Sequence, residues 1–410
     1  MNINRLALIT VITSTASMTA YGNSVEQLTN QVKQLNQRLL DQEQRLRING
    51  FATVGVVQQD LEEGYHRGIT DELNWRRYSK AALQFTFNID ENTSFVTQLI
   101  SRGEEDFDTT AEWMYLKHNF GNGWSTKIGR LRKPNYILSE FFDVGYAMPW
   151  TQPPVEVYGV LEESANYEAI DFTYDFEIGD WSAFAQAQYG RSETDSSVSP
   201  DLFAFNFNMN YDYLTLRAGY SRADTFFQPD SDIGTLSVGV NAAYEAAYAS
   251  AGLTFDGQVG LNEETAQLAQ FFGVAAMYDS DTWLLMAEFN SLEFDGLGVD
   301  EDGFYLVGGY RFGQFMPFIS YARSESTDDD DREAPITMNP VVDGAVVATQ
   351  LSFNKEQDRF SLGLRYDFKP GIAFKIQYDS VDTGDTIGEF DTFPSEDTTD
   401  VISATVDLVF

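Results

Sequence analysis

From residue 48 to residue 410, apolar and polar residues alternate along the chain in segments of roughly ten residues. A period of two places apolar side chains on one face of an extended strand and polar side chains on the other. In the stretch 202–211, LFAFNFNMNY, the aromatic residues share one face, and Asn206, Asn208 and Asn210 share the other. This alternation predicts an all-β fold whose strands separate an apolar environment from a polar one.

The connections between these segments are of two kinds. Short turns such as 88–93, NIDENT, and 119–124, NFGNGW, follow one end of the segments. Much longer, acidic and Gly-rich connections follow the other end. Short turns on one side and long loops on the other are typical of a transmembrane β-barrel. A soluble β-sandwich would turn its apolar face inward and would not require this asymmetry.

We count sixteen such segments, and an even number allows a closed antiparallel barrel. The predicted strands are 48–59, 75–88, 93–102, 111–120, 124–132, 165–177, 181–192, 201–211, 214–223, 267–278, 283–294, 303–312, 315–325, 356–368, 372–381 and 399–410. The stretch 224–266 leaves an alternative open, because it forms either a loop with a helix or an extra hairpin. A hairpin there would give eighteen strands.

The first 22 residues have the layout of a secretory signal peptide. Arg5 precedes an apolar run from Leu6 to Ile12, and small residues follow that run. We predict cleavage after Ala16, Ala20 or Gly22, and therefore export from the cytoplasm.

Residues 23–47 form a second N-terminal segment with a different period. Apolar residues there follow a heptad pattern, which predicts a short periplasmic α-helical coiled coil. These residues are Val25, Leu28, Val32, Leu35, Leu39 and Leu46. A single polar helix or a linker is the alternative, because Gln and Asn are frequent in this segment.

The charge and the scarce side chains exclude several functions. The chain carries 63 acidic and 26 basic residues, a net charge of -37, so we predict no nucleic-acid partner. It has no cysteine, which excludes disulfides and thiolate metal ligands. The two histidines, His66 and His118, are not placed beside a serine nucleophile, as an outer-membrane lipase would require. We therefore predict no catalytic residue, no cofactor and no metal site.

Three stretches resemble the trimeric porins of Gram-negative bacteria. They are 49–57, NGFATVGVV, 115–134, YLKHNFGNGWSTKIGRLRKP, and the terminal residue Phe410. Together with the N-terminal coiled coil, they are similar to the DcaP-type branch of dicarboxylate-associated porins. The resemblance implies a homotrimer in the outer membrane that allows passive diffusion of solutes.

The same resemblance assigns a role to the long segment after the fifth strand. In such porins this loop folds into the barrel and narrows it, with acidic residues facing a cluster of arginines. By resemblance, 133–164 is the constriction loop. Its acidic residues are Glu140, Asp143, Glu156, Glu162 and Glu163.

Face assignment adds a stripe of basic residues that the resemblance does not supply. Alternation places eight of them on the polar faces of predicted strands two, three, five, fourteen and fifteen, which form one arc of a closed barrel. They are Arg76, Lys80, Arg102, Arg130, Arg132, Arg359, Arg365 and Lys375. Such a stripe either concentrates anionic solutes or pairs with the loop carboxylates and sets the pore width.

The last predicted strand ends on Phe410, with alternate apolar residues before it. We predict that its apolar residues face lipid and that its pairing with 48–59 closes the barrel. In the porins it resembles, a terminal aromatic residue is also the signal read by the barrel-assembly machinery. We therefore predict that Phe410 serves assembly.

The favoured function is passive diffusion of small hydrophilic solutes through a water-filled barrel, with anionic, dicarboxylate-like solutes as the finer prediction. A non-transport barrel, either an adhesin or a structural protein, is the alternative. The predicted partners are other copies of this chain, outer-membrane lipid, the barrel-assembly machinery and small solutes. Lipopolysaccharide is a further partner if divalent cations bridge it to the acidic runs 103–108, 299–303 and 326–333.

Overall fold

The computed structural model describes residues 45–65, 68–159, 165–231, 262–295, 299–327, 354–384 and 394–410, with isolated positions between them. The predicted signal peptide and nearly all of the predicted coiled coil lie outside the described residues. The unit that contains the barrel spans Ile48–Phe410. No helix in the described part of the chain has the length and apolar content needed to cross a membrane.

The described residues form sixteen antiparallel strands in a closed barrel, and each strand pairs with its neighbours in the sequence. The strands are β1 Leu46–Gln59, β2 Lys80–Asn88, β3 Thr93–Arg102, β4 Thr109–Gly121, β5 Trp124–Arg132, β6 Asn166–Ile178, β7 Trp181–Glu193, β8 Ser197–Tyr211, β9 Leu214–Phe227, β10 Gln267–Asp279, β11 Trp283–Phe294, β12 Glu301–Tyr310, β13 Phe315–Ser326, β14 Glu356–Lys369, β15 Ile372–Asp382 and β16 Thr398–Val409. The predicted fold class is confirmed.

The pairing of β9 with β10 settles the number of strands in the wall. Their ladder runs from Leu214 opposite Tyr278 to Thr225 opposite Gln267. Because the two strands are direct neighbours, the segment between them adds no strand to the barrel, and the eighteen-strand alternative is wrong.

The second strand begins at Lys80, five residues later than predicted. The Asn74 side chain accepts hydrogen bonds from the backbone N–H groups of Arg76 and Arg77, each at 2.9 Å. The N–H of Ser79 then donates to the carbonyl of Arg76 at 2.9 Å. These bonds hold the chain in a turn, as Asn side chains often do, so Arg76 precedes the strand.

The alternation of side chains across the wall is as predicted in the clearest strands. In β8, Phe203 and Phe205 are exposed on the outer face, while Asn206 and Asn208 are 1% and 5% exposed on the inner face. Aromatic side chains also contact each other at the short-turn ends, where the ring centroids of Trp124 and Tyr174 lie 4.7 Å apart. An apolar band with aromatic residues near its edge is typical of a barrel that faces lipid.

The interior of the barrel contains a hydrophobic core as well as polar groups. Residues 133–159, here called the inner loop, include a 3₁₀ turn at Gly145–Ala147 and a short helix, α1, at Val155–Tyr158. Trp150 and Tyr158 of this loop pack with inward-facing apolar residues of β10–β13, such as Tyr305 and Phe318. This side of the lumen is therefore apolar, although alternation predicted polar side chains on the inner face. Burial of the loop accounts for the difference.

Candidate functional site

The inner loop contacts strands far from its own ends. The backbone N–H of Thr151 donates to Oε1 of Gln377 on β15 at 3.0 Å, and its hydroxyl lies 2.7 Å from that of Ser403 on β16. On β12, a Cβ at Gly303 would collide with the backbone carbonyl of Glu156, so only glycine allows this close approach. The loop is therefore held against the inner face of the barrel.

Asp143 of the inner loop lies among three basic side chains of the wall. It accepts from Nε and Nη2 of Arg102 at 3.0 and 2.8 Å, and it lies 3.0 Å from Arg132 and 3.4 Å from Lys80. Burial alone would raise the pKa of this carboxyl, but Arg102, Lys80 and Arg132 hold it well below its ordinary value. The structure thus joins three residues of the predicted stripe to one predicted loop carboxylate.

Glu112 completes this cluster, although the sequence analysis did not select it. Its two oxygens lie 2.6 Å from Nη2 of Arg102 and 2.6 Å from Nη2 of Arg132, and the side chain is 2% exposed. A register shift opposite Gln98 and Leu99 leaves Glu112 as an extra residue in β4. Strict alternation cannot predict an inward residue at a bulge.

A second buried ion pair joins α1 to β14. Nε of Arg359 on β14 donates to Oε1 of Glu156 at 3.0 Å, and both side chains are nearly inaccessible. Arg359 and Gln357 also donate to the hydroxyl of Tyr65, from the loop between β1 and β2. Two further predicted residues, Arg359 and Glu156, are therefore partners.

Arg365 and Lys375, the two residues of the predicted stripe nearest the C-terminus, bind loop carbonyls. Lys375 lies 3.0 Å from Asp407 and donates to the carbonyls of Gly145, at 2.8 Å, and Trp150. Arg365 donates to the carbonyls of Tyr146 and Met148 at 2.7 and 3.0 Å, and it pairs with Asp367 at 2.8 Å. Both side chains fix the position of the inner loop.

Two residues of the predicted stripe do not join these contacts. Arg76 lies in the turn before β2 and pairs with Asp106, so its assignment to a strand face is wrong. Arg130 lies opposite Met114 and Glu168 in the ladder and pairs with Glu168 at 2.8 Å. These neighbours are exposed, so Arg130 stands apart from the Asp143 cluster, although it borders the cavity described below.

The remaining acidic residues of the predicted loop have other surroundings. Glu140 is mostly exposed and lies 3.5 Å from Lys127 of β5. Glu162 and Glu163 lie outside the described residues.

The acidic runs are partly used in ion pairs and turns. In 103–108, Glu104 pairs with Arg77 at 2.8 Å and Glu105 with Arg102 at 3.2 Å. In the second run, Asp300 accepts from the backbone of Phe294 at 2.7 Å. Most of the third run lies outside the described residues. Within the described ranges, no three acidic or histidine side chains are grouped to hold a metal ion.

Phe410 closes the barrel through its backbone. It exchanges two hydrogen bonds of 2.9 Å with Gly50, and the ladder continues from Phe51 opposite Val409 to Gln59 opposite Val401. The predicted closure of the last strand on the first is confirmed, and the Phe410 ring is 70% exposed.

A cavity of about 880 Å³ lies between the start of the inner loop and the wall. Arg102, Arg132 and Glu112 border it, and so do Lys133 and Asn135, which the sequence analysis did not select. Burial lowers the pKa of Lys133 to about 7. The long-loop ends of β7 and β9 contribute the acidic residues Glu193 and Asp230 to the same cavity.

Comparison with known proteins supports the fold. Neither a protein-family model nor a curated protein matches the sequence. The structure is similar to OmpT expressed in the outer membrane of Vibrio cholerae, with 13% identity and a TM-score of 0.55 over 89% of this chain and 97% of that chain. Another OmpT structure, at 12% identity and a TM-score of 0.53 over 89% of this chain and 100% of that chain, is described as a trimer form.

Two further solved structures have the same architecture. An anion-selective porin from Comamonas acidovorans is 11% identical, with a TM-score of 0.54 over 89% of this chain and 99% of that chain. The outer membrane channel DcaP of Acinetobacter baumannii is 10% identical, with a TM-score of 0.53 over 89% of this chain and 97% of that chain. At such low sequence identity, the structural similarity shows only that the barrel fold is shared. The DcaP-type assignment therefore stays a prediction.

Proposed function

We propose that this protein is an outer-membrane channel for the passive diffusion of small hydrophilic solutes. The observation that carries the proposal is a closed sixteen-strand barrel with an apolar outer face and an inner loop fixed across its interior. A closed barrel satisfies its backbone hydrogen bonds without water, and this allows it to cross a lipid bilayer. The solved structures with a similar fold include proteins described as a porin and as an outer membrane channel.

The charged clusters favour selection by pore width together with a local field. Lys80, Arg102 and Arg132 face Asp143 and Glu112, so charges of both signs are held close together. Fixed charges in a narrow channel act on passing ions more strongly than the net charge of the protein does. We propose that anionic solutes, including dicarboxylates, are among those that pass.

The proposed location requires export and assembly. The predicted signal peptide, the apolar outer face and the aromatic residues at the short-turn ends support an outer-membrane location, with lipid and lipopolysaccharide as neighbours. We propose a homotrimer, and the trimer form of OmpT supports this state. We also propose that residues 23–47 form the periplasmic coiled coil that the heptad pattern predicts.

Conductance of the purified protein in a planar bilayer tests the channel proposal directly. We expect stable open channels that close in three steps under high voltage, because each subunit of a trimer carries its own barrel. The reversal potential in a salt gradient then gives the preference for anions or cations. Absence of any conductance from correctly folded protein would overturn the proposal and favour an adhesin or structural barrel.

The proposed role of Phe410 in assembly has a separate test. Deletion of Phe410 should lower the amount of folded, heat-modifiable protein in the outer membrane several-fold, because it removes two closing hydrogen bonds and the proposed signal for the assembly machinery. The selectivity of channels that do insert should not change. Phe410→Tyr, which keeps an aromatic ring, is the matched control. Normal assembly of the deletion variant would contradict this role.

A lipase receives no support from the histidine that the structure describes. Nδ1 of His118 lies 2.9 Å from the hydroxyl of Thr93, and its ring packs on Phe120 near the short-turn end of β4. Hydrolysis of an ester substrate of serine hydrolases by the purified protein, and loss of that activity in His118→Ala, would support the lipase alternative.

A further inference from the structure

Lys133 and Asn135 begin the inner loop immediately after β5. Their side chains are only 6% and 4% exposed, and the backbone N–H of Lys133 donates to the carbonyl of Ala165 at 2.8 Å. The loop backbone is also fixed from the other side, because Arg217 of β9 donates to the carbonyl of Pro134. The backbone that carries both side chains is therefore held in place at the wall of the barrel.

These two side chains differ from the paired cations around the loop, such as Lys375 and Arg359. Among the described residues, no carboxylate pairs with Lys133, and Nδ2 of Asn135 donates to no acceptor. The Lys133 ammonium lies over the face of the Tyr167 ring, with Nζ 5.9 Å from the ring centroid. Buried polar groups in proteins nearly always have hydrogen-bond partners, so donors without one beside a cavity are open to an acceptor from outside the chain.

The cavity beside Lys133 and Asn135 has room for such an acceptor. Its volume is about 880 Å³, which is sufficient for a small organic molecule. Nε of Arg132, on the same border, is also buried without an acceptor among the described residues. An ammonium, an amide N–H₂ and a guanidinium N–H are all donors, so the complementary ligand presents acceptor oxygens and negative charge.

We propose that Lys133 and Asn135 form a binding subsite for the carboxylate group of a small organic solute inside the barrel. The inference rests on the proposed diffusion of small solutes and adds a site at which one of them binds transiently. Water alone satisfies an amide but leaves the lysine charge uncompensated, whereas a carboxylate supplies both acceptor atoms and the opposite charge.

Calorimetric titration of the folded, detergent-purified protein tests the subsite without relying on conductance. The probes are succinate, inorganic phosphate and uncharged succinamide. Succinate should bind, and Lys133→Gln should weaken its binding by about tenfold because a charge-assisted contact is lost. Asn135→Ala should weaken it by about threefold, since one neutral donor is lost.

Lys127→Gln is the matched control. Lys127 is also a lysine of this part of the wall, but it already lies 3.5 Å from Glu140 and does not border the cavity. Its replacement should leave succinate binding within twofold of the original. Heat-modifiable mobility on gels confirms that each variant is folded, and Asn135→Ala provides a second test if Lys133→Gln fails to fold.

Several results would overturn the subsite. They are no succinate binding, equal binding of succinamide, phosphate binding in place of succinate, or the same loss in Lys127→Gln as in Lys133→Gln. Conductance of the same preparations separates this failure from failure of the channel proposal. Open channels without succinate binding would rule out the subsite alone. Absence of conductance would rule out the channel proposal, and the calorimetric titration would still test the subsite.

Discussion

Two buried lysines, one that begins the inner loop and one on β15 that contacts it, have contrasting surroundings. Lys375 is 3% exposed and contacts Asp407 together with two loop carbonyls. Lys133 is 6% exposed, and no carboxylate pairs with it among the described residues. Similar burial thus accompanies a structural contact in one case and an available donor in the other, so burial alone does not reveal the role of a lysine in a barrel.

The largest expected effect comes from removing the structural lysine. Lys375→Met leaves Asp407 buried beside the loop without its cation, and breaking such a pair costs about 3 kcal/mol. We expect a lower midpoint in guanidinium unfolding and noisier, larger single-channel currents, because the carbonyls of Gly145 and Trp150 also lose their donor.

Lys369→Met serves as the control for this change, since Lys369 is exposed at the turn between β14 and β15. It should alter neither the unfolding midpoint nor the current. If the two variants behaved alike, Lys375 would not hold the loop.

The next effect comes from giving Lys133 a partner within the chain. In Asn135→Asp a carboxylate replaces the unpartnered amide, so Lys133 would resemble Lys375 more closely. Succinate binding should fall by about tenfold, or roughly 1.4 kcal/mol, because the new carboxylate repels the ligand and competes for the ammonium. Tighter succinate binding in this variant would show that Asn135 does not border the ligand carboxylate.

A pH titration of succinate binding tests the proposed role of Lys133 without a mutation. Burial lowers the pKa of Lys133 to about 7, so its ammonium is present below that pH and is lost above it. Succinate affinity should therefore fall severalfold as the pH rises through about 7. The other charged groups that border the cavity are Arg102, Arg130, Arg132, Glu104, Glu105, Glu112, Glu193, Asp195 and Asp230.

These other groups should not produce the same transition. Burial raises the pKa of Glu105, but from an acidic ordinary value, and arginine stays charged throughout. Lys133→Gln should abolish the pH dependence. A dependence that persists in Lys133→Gln would assign it to another group.

The smallest expected effect concerns Asp143, which lies between three cations of the wall. Asp143→Asn leaves Lys80, Arg102 and Arg132 with one carboxylate fewer. The reversal potential in a salt gradient should shift toward anions by about twofold in permeability ratio. Asp106→Asn, at an exposed pair with Arg76, should shift it less. An opposite shift in Asp143→Asn would mean that the cluster rearranges when the carboxylate is lost.

The strands were predictable because alternation is a local property of the sequence. β5 and β11 have the bounds that the alternating segments gave, and β16 closes on β1 as expected. Strand ends and bulges were less predictable, since the Asn74 turn displaces Arg76 and the extra residue Glu112 turns inward. A single side-chain hydrogen bond or one inserted residue overrides the period of two.

The candidate site could be predicted only in part. Asp143 and Glu156 were selected through a resemblance, and their basic partners through alternation. Lys133 was not selected, because its sequence neighbours do not differ from those of a paired lysine. What distinguishes it is the absence of a carboxylate near its ammonium among the described residues, and tertiary contacts alone determine that.

The contacts of β16 link the end of the chain to the position of the inner loop. Ser403 and Asp407 lie on this strand, and they contact Thr151 of the loop and Lys375, which binds the loop carbonyls. The contacts of Ser403 and Asp407 form only when β16 has joined the wall. Closing the wall therefore also completes the contacts of the inner loop, and a barrel with β16 unpaired would keep the Asp143 and Glu156 contacts of that loop while losing those of Ser403 and Asp407.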